Sequence, residues 1–151
     1  VLVIEKGTYE AIVAHARKDH PDEACGVVIG PEGSDRAERF VPMLNAAMSP
    51  TYYQFDDEDW KRLYNEMWDR DEEAVVIYHS HTATEAYPSR TDIDRAQEPN
   101  AHYVLVSTRG GAHSQTYDGP VEFRSYRIIG GVVTEEEVRV VGSYEETEGE
   151  D

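Results

Sequence analysis

The sequence predicts an α/β domain, and three observations carry that expectation. Apolar, β-branched runs recur at residues 24–29, 74–80 and 102–108. Two other stretches, from Thr8 and from Asp56 onward, place their apolar residues at helical spacing. A chain of 151 residues fits one domain and buries a core without covalent staples.

Residues 1–5 (VLVIE) read as a short strand. Tyr9, Ile12, Val13 and Ala16 then share one helical face, and the helix stops near Asp19, just before Pro21. His15 and His20, on this helix and its end, are expected to face solvent. Residues 24–29 form a buried strand ending at Gly30, and 31–38 a polar turn. A third strand follows at Arg39–Met43, and a loop then leads into residues 52–55. Asp56 caps the next helix, whose first turn is acidic, as the helix dipole favours. Its residues Trp60, Leu63, Tyr64, Met67 and Trp68 make one broad apolar stripe, read as core packing. Past residue 100 come a strand at 102–108 with His102 as an ordinary edge histidine, and a glycine-rich loop at 109–120 with His113 exposed. Two alternating runs, 121–129 and 132–141, flank Gly130-Gly131 as a hairpin. The expected organisation is one domain over 1–142 and a disordered acidic tail over 143–151, which holds five acids in nine residues.

Charge and composition exclude several roles. With 14 basic against 31 acidic residues the net charge is -17, a surface that repels phosphate backbones and makes nucleic acid an unfit partner. No apolar run approaches the length of a membrane span and the start lacks a signal-peptide layout, so the expectation is a cytoplasmic protein without membrane insertion. The single cysteine, Cys25, rules out an internal disulfide and reads as a small core residue.

The chemistry concentrates at residues 74–94, AVVIYHSHTATEAYPSRTDID. Alternation along a strand puts His79 and His81 on one face, roughly 7 Å apart, with Ser80 pointing away. Pro88 and Ser89 turn the chain into a short helix that aims Asp92 back toward the pair. Two histidines and a carboxylate form a zinc ligand set with a fourth position open for water. Ser89-x-x-Asp92 is also a capping box, and both readings hold together. Glu23, at the mouth of the strand over 24–29, is costly there without a partner; a zinc-water hydrolase needs a base that is not itself a ligand, and Glu23 is the candidate.

Glu23, His79-x-His81, seven residues, Ser89, two residues and Asp92 together resemble the JAMM (MPN+) zinc metalloprotease signature, without gap or substitution. The resemblance implies a mixed β-sheet flanked by helices, an architecture shared with zinc deaminases. The deaminases' His-x-Glu and Pro-Cys-x-x-Cys patterns are missing. It further implies Zn²⁺ on His79, His81 and Asp92, Glu23 as catalytic base and Ser89 as a catalytic hydroxyl that steadies the oxyanion. The chain is too short for the insertions of the large deubiquitinases, and DHPDEACGV, VVIYHSHTATEAYPSRTD and HYVLVST resemble the compact bacterial branch. There the implied substrate is a ubiquitin-like sulfur-carrier protein with a Gly-Gly C-terminus, joined by an amide to the cysteine that is released. The loops at 82–88 and 110–119 are the expected cleft walls. The competing expectations are an isopeptidase or precursor-tail protease on the same site, and a non-catalytic MPN scaffold.

Overall fold

The computed structural model describes residues 1–145. Its centre is a six-stranded mixed sheet in the order β3-β2-β4-β5-β6-β7, formed by Arg39–Met43, Cys25–Pro31, Glu72–His81, His102–Ser107, Glu122–Ile129 and Val132–Glu136. Only the β4–β5 pair is parallel; the other pairs are antiparallel. β1 (Leu2–Glu5) pairs in parallel with β8 (Val138–Val141) as a separate two-stranded sheet. Among the described residues the sheets are joined by the helices α1 (Lys6–Asp19), α2 (Asp57–Asp69) and α3 (Arg90–Arg95).

The sheet has a core on each face. On one, Ile12 and Ala16 of α1 pack with Leu2, Ile4, Val28, Val76, Tyr78 and Val104. On the other, Leu63 and Met67 of α2 pack with Cys25, Val27, Ile77, Tyr103 and Leu105. Each fully buried Val, Leu or Ile contributes about 1.5–3 kcal/mol, so both faces matter for stability. β4 is apolar because it is covered on both sides, as a central strand must be.

One irregularity sets which face receives the histidines. Val28 pairs with Val76 but Ile29 with Ala74, so Val75 is an extra residue in β4. Val75 and Val76 both enter the α1-side core, and the alternation resumes with Ile77 facing α2. His79 and His81 therefore lie on the α2 side, and Tyr78 and Ser80 on the α1 side. A one-residue slip would exchange these sets. Tyr78 reaches over Gly26, where any Cβ would collide with its ring, and is hydrogen-bonded to His15 Nδ1 at 2.7 Å.

Several expectations are corrected. The run over 132–141 is not one strand of a hairpin: β7 ends at Glu136, and β8 leaves to pair with β1. His15 is not simply exposed, being held by Tyr78 and by Asp19 at 3.0 Å. His20 meets Thr108 Oγ1 at 2.8 Å and stacks on His113, which is itself exposed as expected. His102 is no edge residue but fully buried. The α2 stripe is only half core, since Tyr64 and Trp68 are 53% and 76% exposed. The tail does not begin at 143: Tyr144 is buried, and its hydroxyl donates to Val3 O and accepts from Ala37 N. Residues 146–151, the rest of the expected disordered tail, lie outside the described residues.

Candidate metal centre

β4 delivers His79 and His81 at its end, and Ser80 between them has a separate task. Its Oγ accepts from Ala24 N at 2.8 Å while its backbone N donates to Ala24 O at 3.0 Å. This double tie fixes the segment carrying Glu23 beside the histidines. Asn45 Nδ2 adds a bond to Glu23 O at 3.0 Å, and Glu23 N donates to Ser49 O at 2.9 Å. Glu23, His79 and His81 are all buried, and their potential ligand atoms lie within 4.8 Å of one another.

Asp92 arrives from α3, which the sequence starts with a full capping box: Ser89 Oγ accepts from Asp92 N at 3.1 Å and Ser89 N donates to Asp92 Oδ2 at 2.8 Å. The same Oδ2 lies 3.1 Å from His79 Nε2 and 3.0 Å from His81 Nε2. Burial alone would raise the Asp92 carboxyl, but the two imidazoles and the Ser89 N–H outweigh it and hold it far below the carboxylate range. Glu23 shifts the other way: burial pushes it up to about 7, against the pull of His81.

One buried nitrogen of the site, on His79, has no hydrogen-bond partner among the described residues. His81 is held at both nitrogens, Nδ1–H donating to Glu85 O at 2.9 Å and Nε2 lying 3.0 Å from Asp92 Oδ2; burial would lower its pKa, but these bonds outweigh it and raise it. His79 Nε2 is buried and, though near Asp92, lies outside hydrogen-bonding geometry. Burial lowers the His79 pKa, favouring the neutral ring that a metal requires. Two imidazole nitrogens converging on one ionised oxygen fit a metal ion by donor chemistry as well as position.

Residues 5–129 match the family described as prokaryotic homologs of the JAB domain. The chain belongs to that family. It is 60% identical over 144 residues to the CysO-cysteine peptidase of Mycobacterium tuberculosis, covering 95% of this chain and 94% of the relative. It is 31% identical over 124 residues to the desampylase of Haloferax volcanii, covering 79% and 88% respectively. A solution structure of a Desulfitobacterium hafniense protein superimposes with a TM-score of 0.76 at 28% identity, covering 95% of this chain and 94% of that one. This JAB-family chain is an enzyme, a hydrolase of the peptidase kind.

Around its centre the JAB-family chain also places residues that motif reading did not mark. Tyr53 stacks on His79 with ring centroids 4.4 Å apart, and Thr82 Oγ1 donates to Pro50 O at 2.9 Å. A cavity of about 190 Å³ is lined by Glu23, His81, Ser89 and Asp92 together with Pro50, Thr51, Thr82, Ala83 and Thr84. The expected wall over 82–88 is thus present in part. The opposite wall comes from residues 50 and 51, while the 109–119 segment is pinned to α1 by Arg17 Nε donating to Ala112 O at 3.0 Å. Among the described residues no helix is long and apolar enough to cross a membrane.

Proposed function

We propose that the chain is a zinc-dependent peptidase that hydrolyses the amide between the C-terminal Gly-Gly of a ubiquitin-like sulfur-carrier protein and cysteine, releasing cysteine. The observation that carries this reading is the convergence of His79 Nε2 and His81 Nε2 on one Asp92 oxygen with buried Glu23 alongside. The 60% identity to a CysO-cysteine peptidase supports the substrate. His79, His81 and Asp92 would hold the zinc. Zinc there supplies a Lewis acid that brings the pKa of a bound water down to about 7.

Asp92 is the third ligand in this reading because one of its oxygens lies within 3.1 Å of both Nε2 atoms; Glu23, whose ligand atom lies within 4.8 Å of the histidines and whose burial raises it to about 7, is left as the proton carrier. It takes the proton of the attacking water and passes it to the departing amine nitrogen. Ser89 Oγ already accepts from Asp92 N, so its own O–H is available to the carbonyl oxygen as negative charge collects there. One such donor is worth about 3 kcal/mol in the transition state. No covalent intermediate is needed.

The likeness to a desampylase favours a second reading, in which the same site cuts an isopeptide bond or trims a precursor tail. A bare scaffold is disfavoured because the full donor set is assembled. Intact-mass spectrometry of a carrier ending Gly-Gly-Cys, incubated with zinc-loaded protein, separates these. Loss of one cysteine residue is the expected result. An unchanged carrier mass, with zinc bound, refutes the cysteine-releasing reading and moves the substrate to isopeptide-linked or precursor tails.

A further inference from the structure

The proton route fixes where the released residue sits. Glu23 returns a proton to the leaving nitrogen, so that nitrogen and the residue it belongs to lie on the Glu23 side of the site. The cavity on that side is the one of about 190 Å³, bounded away from the reacting groups by Pro50, Thr51, Thr82, Ala83 and Thr84. A larger cavity of about 330 Å³ is lined by Tyr53, Phe55, Trp60 and Tyr103 together with Asp57, Arg95 and Glu98, and neither Glu23 nor the candidate ligands line it.

The smaller cavity is also stiffened. Its walls belong to two loops, and buried Thr82 bridges them through its hydrogen bond to Pro50 O. Ser107 Oγ donates to Thr84 O at 2.7 Å, tying the second loop to β5. The bond from Glu23 N to Ser49 O ties the first loop to the base itself. Three hydrogen bonds thus restrain the two loops that wall the pocket.

We propose that this cavity is the subsite for the departing residue and that Pro50, Thr51, Thr82, Ala83 and Thr84 select it by size. The inference rests on the peptidase reading above. At about 30 Å³ per water the space equals about six waters, part of it shared with the reacting groups that line it, which suits cysteine, serine or alanine better than tryptophan. A tight wall turns extra side-chain carbons into a rate penalty, because the leaving nitrogen no longer reaches Glu23.

The test uses the zinc-loaded full chain and carriers ending Gly-Gly-X, with X as Cys, Ser, Ala, Leu or Trp, followed by intact mass. Release of Cys, Ser and Ala should agree within about threefold, with Leu and Trp slower by about tenfold or more, the span that pocket fit supplies. Ala83→Leu should lower Cys release relative to Ala. Thr82→Val, which removes the bridge to Pro50, should raise Leu release relative to Cys. Each ratio is read within one protein, so a loss of folded material that scales all substrates alike does not move it. Equal release of Trp and Cys by the unaltered chain overturns the size filter and leaves the peptidase reading standing. Unmoved ratios in both variants overturn the assignment to these residues, and release of no residue from any carrier overturns the peptidase reading and the subsite with it.

Discussion

Two histidine–carboxylate clusters built on buried histidines stand toward opposite ends of the paired central strands, one at the end of β4 and one at the start of β5. At the second, His102 Nδ1 meets Glu136 Oε2 at 2.7 Å and Nε2 meets Asp35 Oδ1 at 2.6 Å. Glu136 Oε2 also accepts from Ser125 Oγ at 2.8 Å, and Arg127 braces the group with a hydrogen bond to Asn100 O at 2.6 Å. His102 Nδ1 thus has one carboxylate, while Nε2 lies between Asp35 and Arg127 Nη2 at 3.1 Å. At the first, two Nε2 atoms share one Asp92 oxygen, and His79 Nε2 is left without a hydrogen bond. Similar residue types thus make a structural clamp in one place and a candidate cation site in the other, and the difference lies in whether the donors are divided or converge.

The sharpest way to break that comparison is to remove one histidine from each cluster. His81→Ala should abolish both bound zinc and hydrolysis, whereas His102→Ala should leave metal content unchanged; elemental analysis of the purified proteins reads both. Retained zinc in His81→Ala would sink the ligand assignment. Next in size is Glu23→Gln, expected to keep zinc and lose about 10²–10⁴ in kcat/KM, the span of one acid–base residue. Near-full turnover by that variant removes Glu23 from the mechanism. His102→Ala, for its part, should cost about 1–3 kcal/mol of stability by removing a hydrogen bond to Glu136, which keeps Ser125 Oγ and Arg127, seen as a lowered denaturant midpoint. An unchanged midpoint would show that the clamp carries no weight.

The first cluster was legible in the sequence and the second was not, for a physical reason. Glu23 apart, the metal-site residues fall within fourteen positions, and strand alternation plus a capped helix is enough to aim them at one another. His102 shows only a histidine at a strand start, because its partners lie 34 and 67 residues away and meet it through sheet order alone. The same limit explains β8: Val132–Glu136 and Val138–Val141 alternate without visible interruption, and only the availability of β1 as a partner separates them. It also explains Tyr144, whose anchoring to Val3 and Ala37 has no local signal within an acidic run. The stripe on α2 was legible as amphipathic but not as half-covered, since its width exceeds the part of the sheet that meets it. The extra residue Val75 has no signature in an unbroken apolar run, yet it sets the face on which the histidines emerge.

Acidity sharpens the same contrast. Burial pushes the Glu136 carboxyl up, but its hydrogen bonds from His102 and Ser125 outweigh that and bring it from 4.5 down to about 2. A carboxyl depressed in the folded state contributes stability that is fully present above its unfolded value and is lost as pH falls through the folded one. The window therefore runs from about 4.5 down to about 2, and a displacement of that size corresponds to about 3 kcal/mol. Denaturant unfolding of the unaltered chain and of Glu136→Gln, followed from about pH 6 to about pH 2, isolates the contribution, since the carboxylates of the metal centre titrate in both proteins and cancel in the difference. The gap between the two stability curves should narrow by about 3 kcal/mol across that window. Curves that stay parallel would mean that the clamp does not hold Glu136 ionised, and the division between a satisfied cluster and a convergent one would lose its energetic basis.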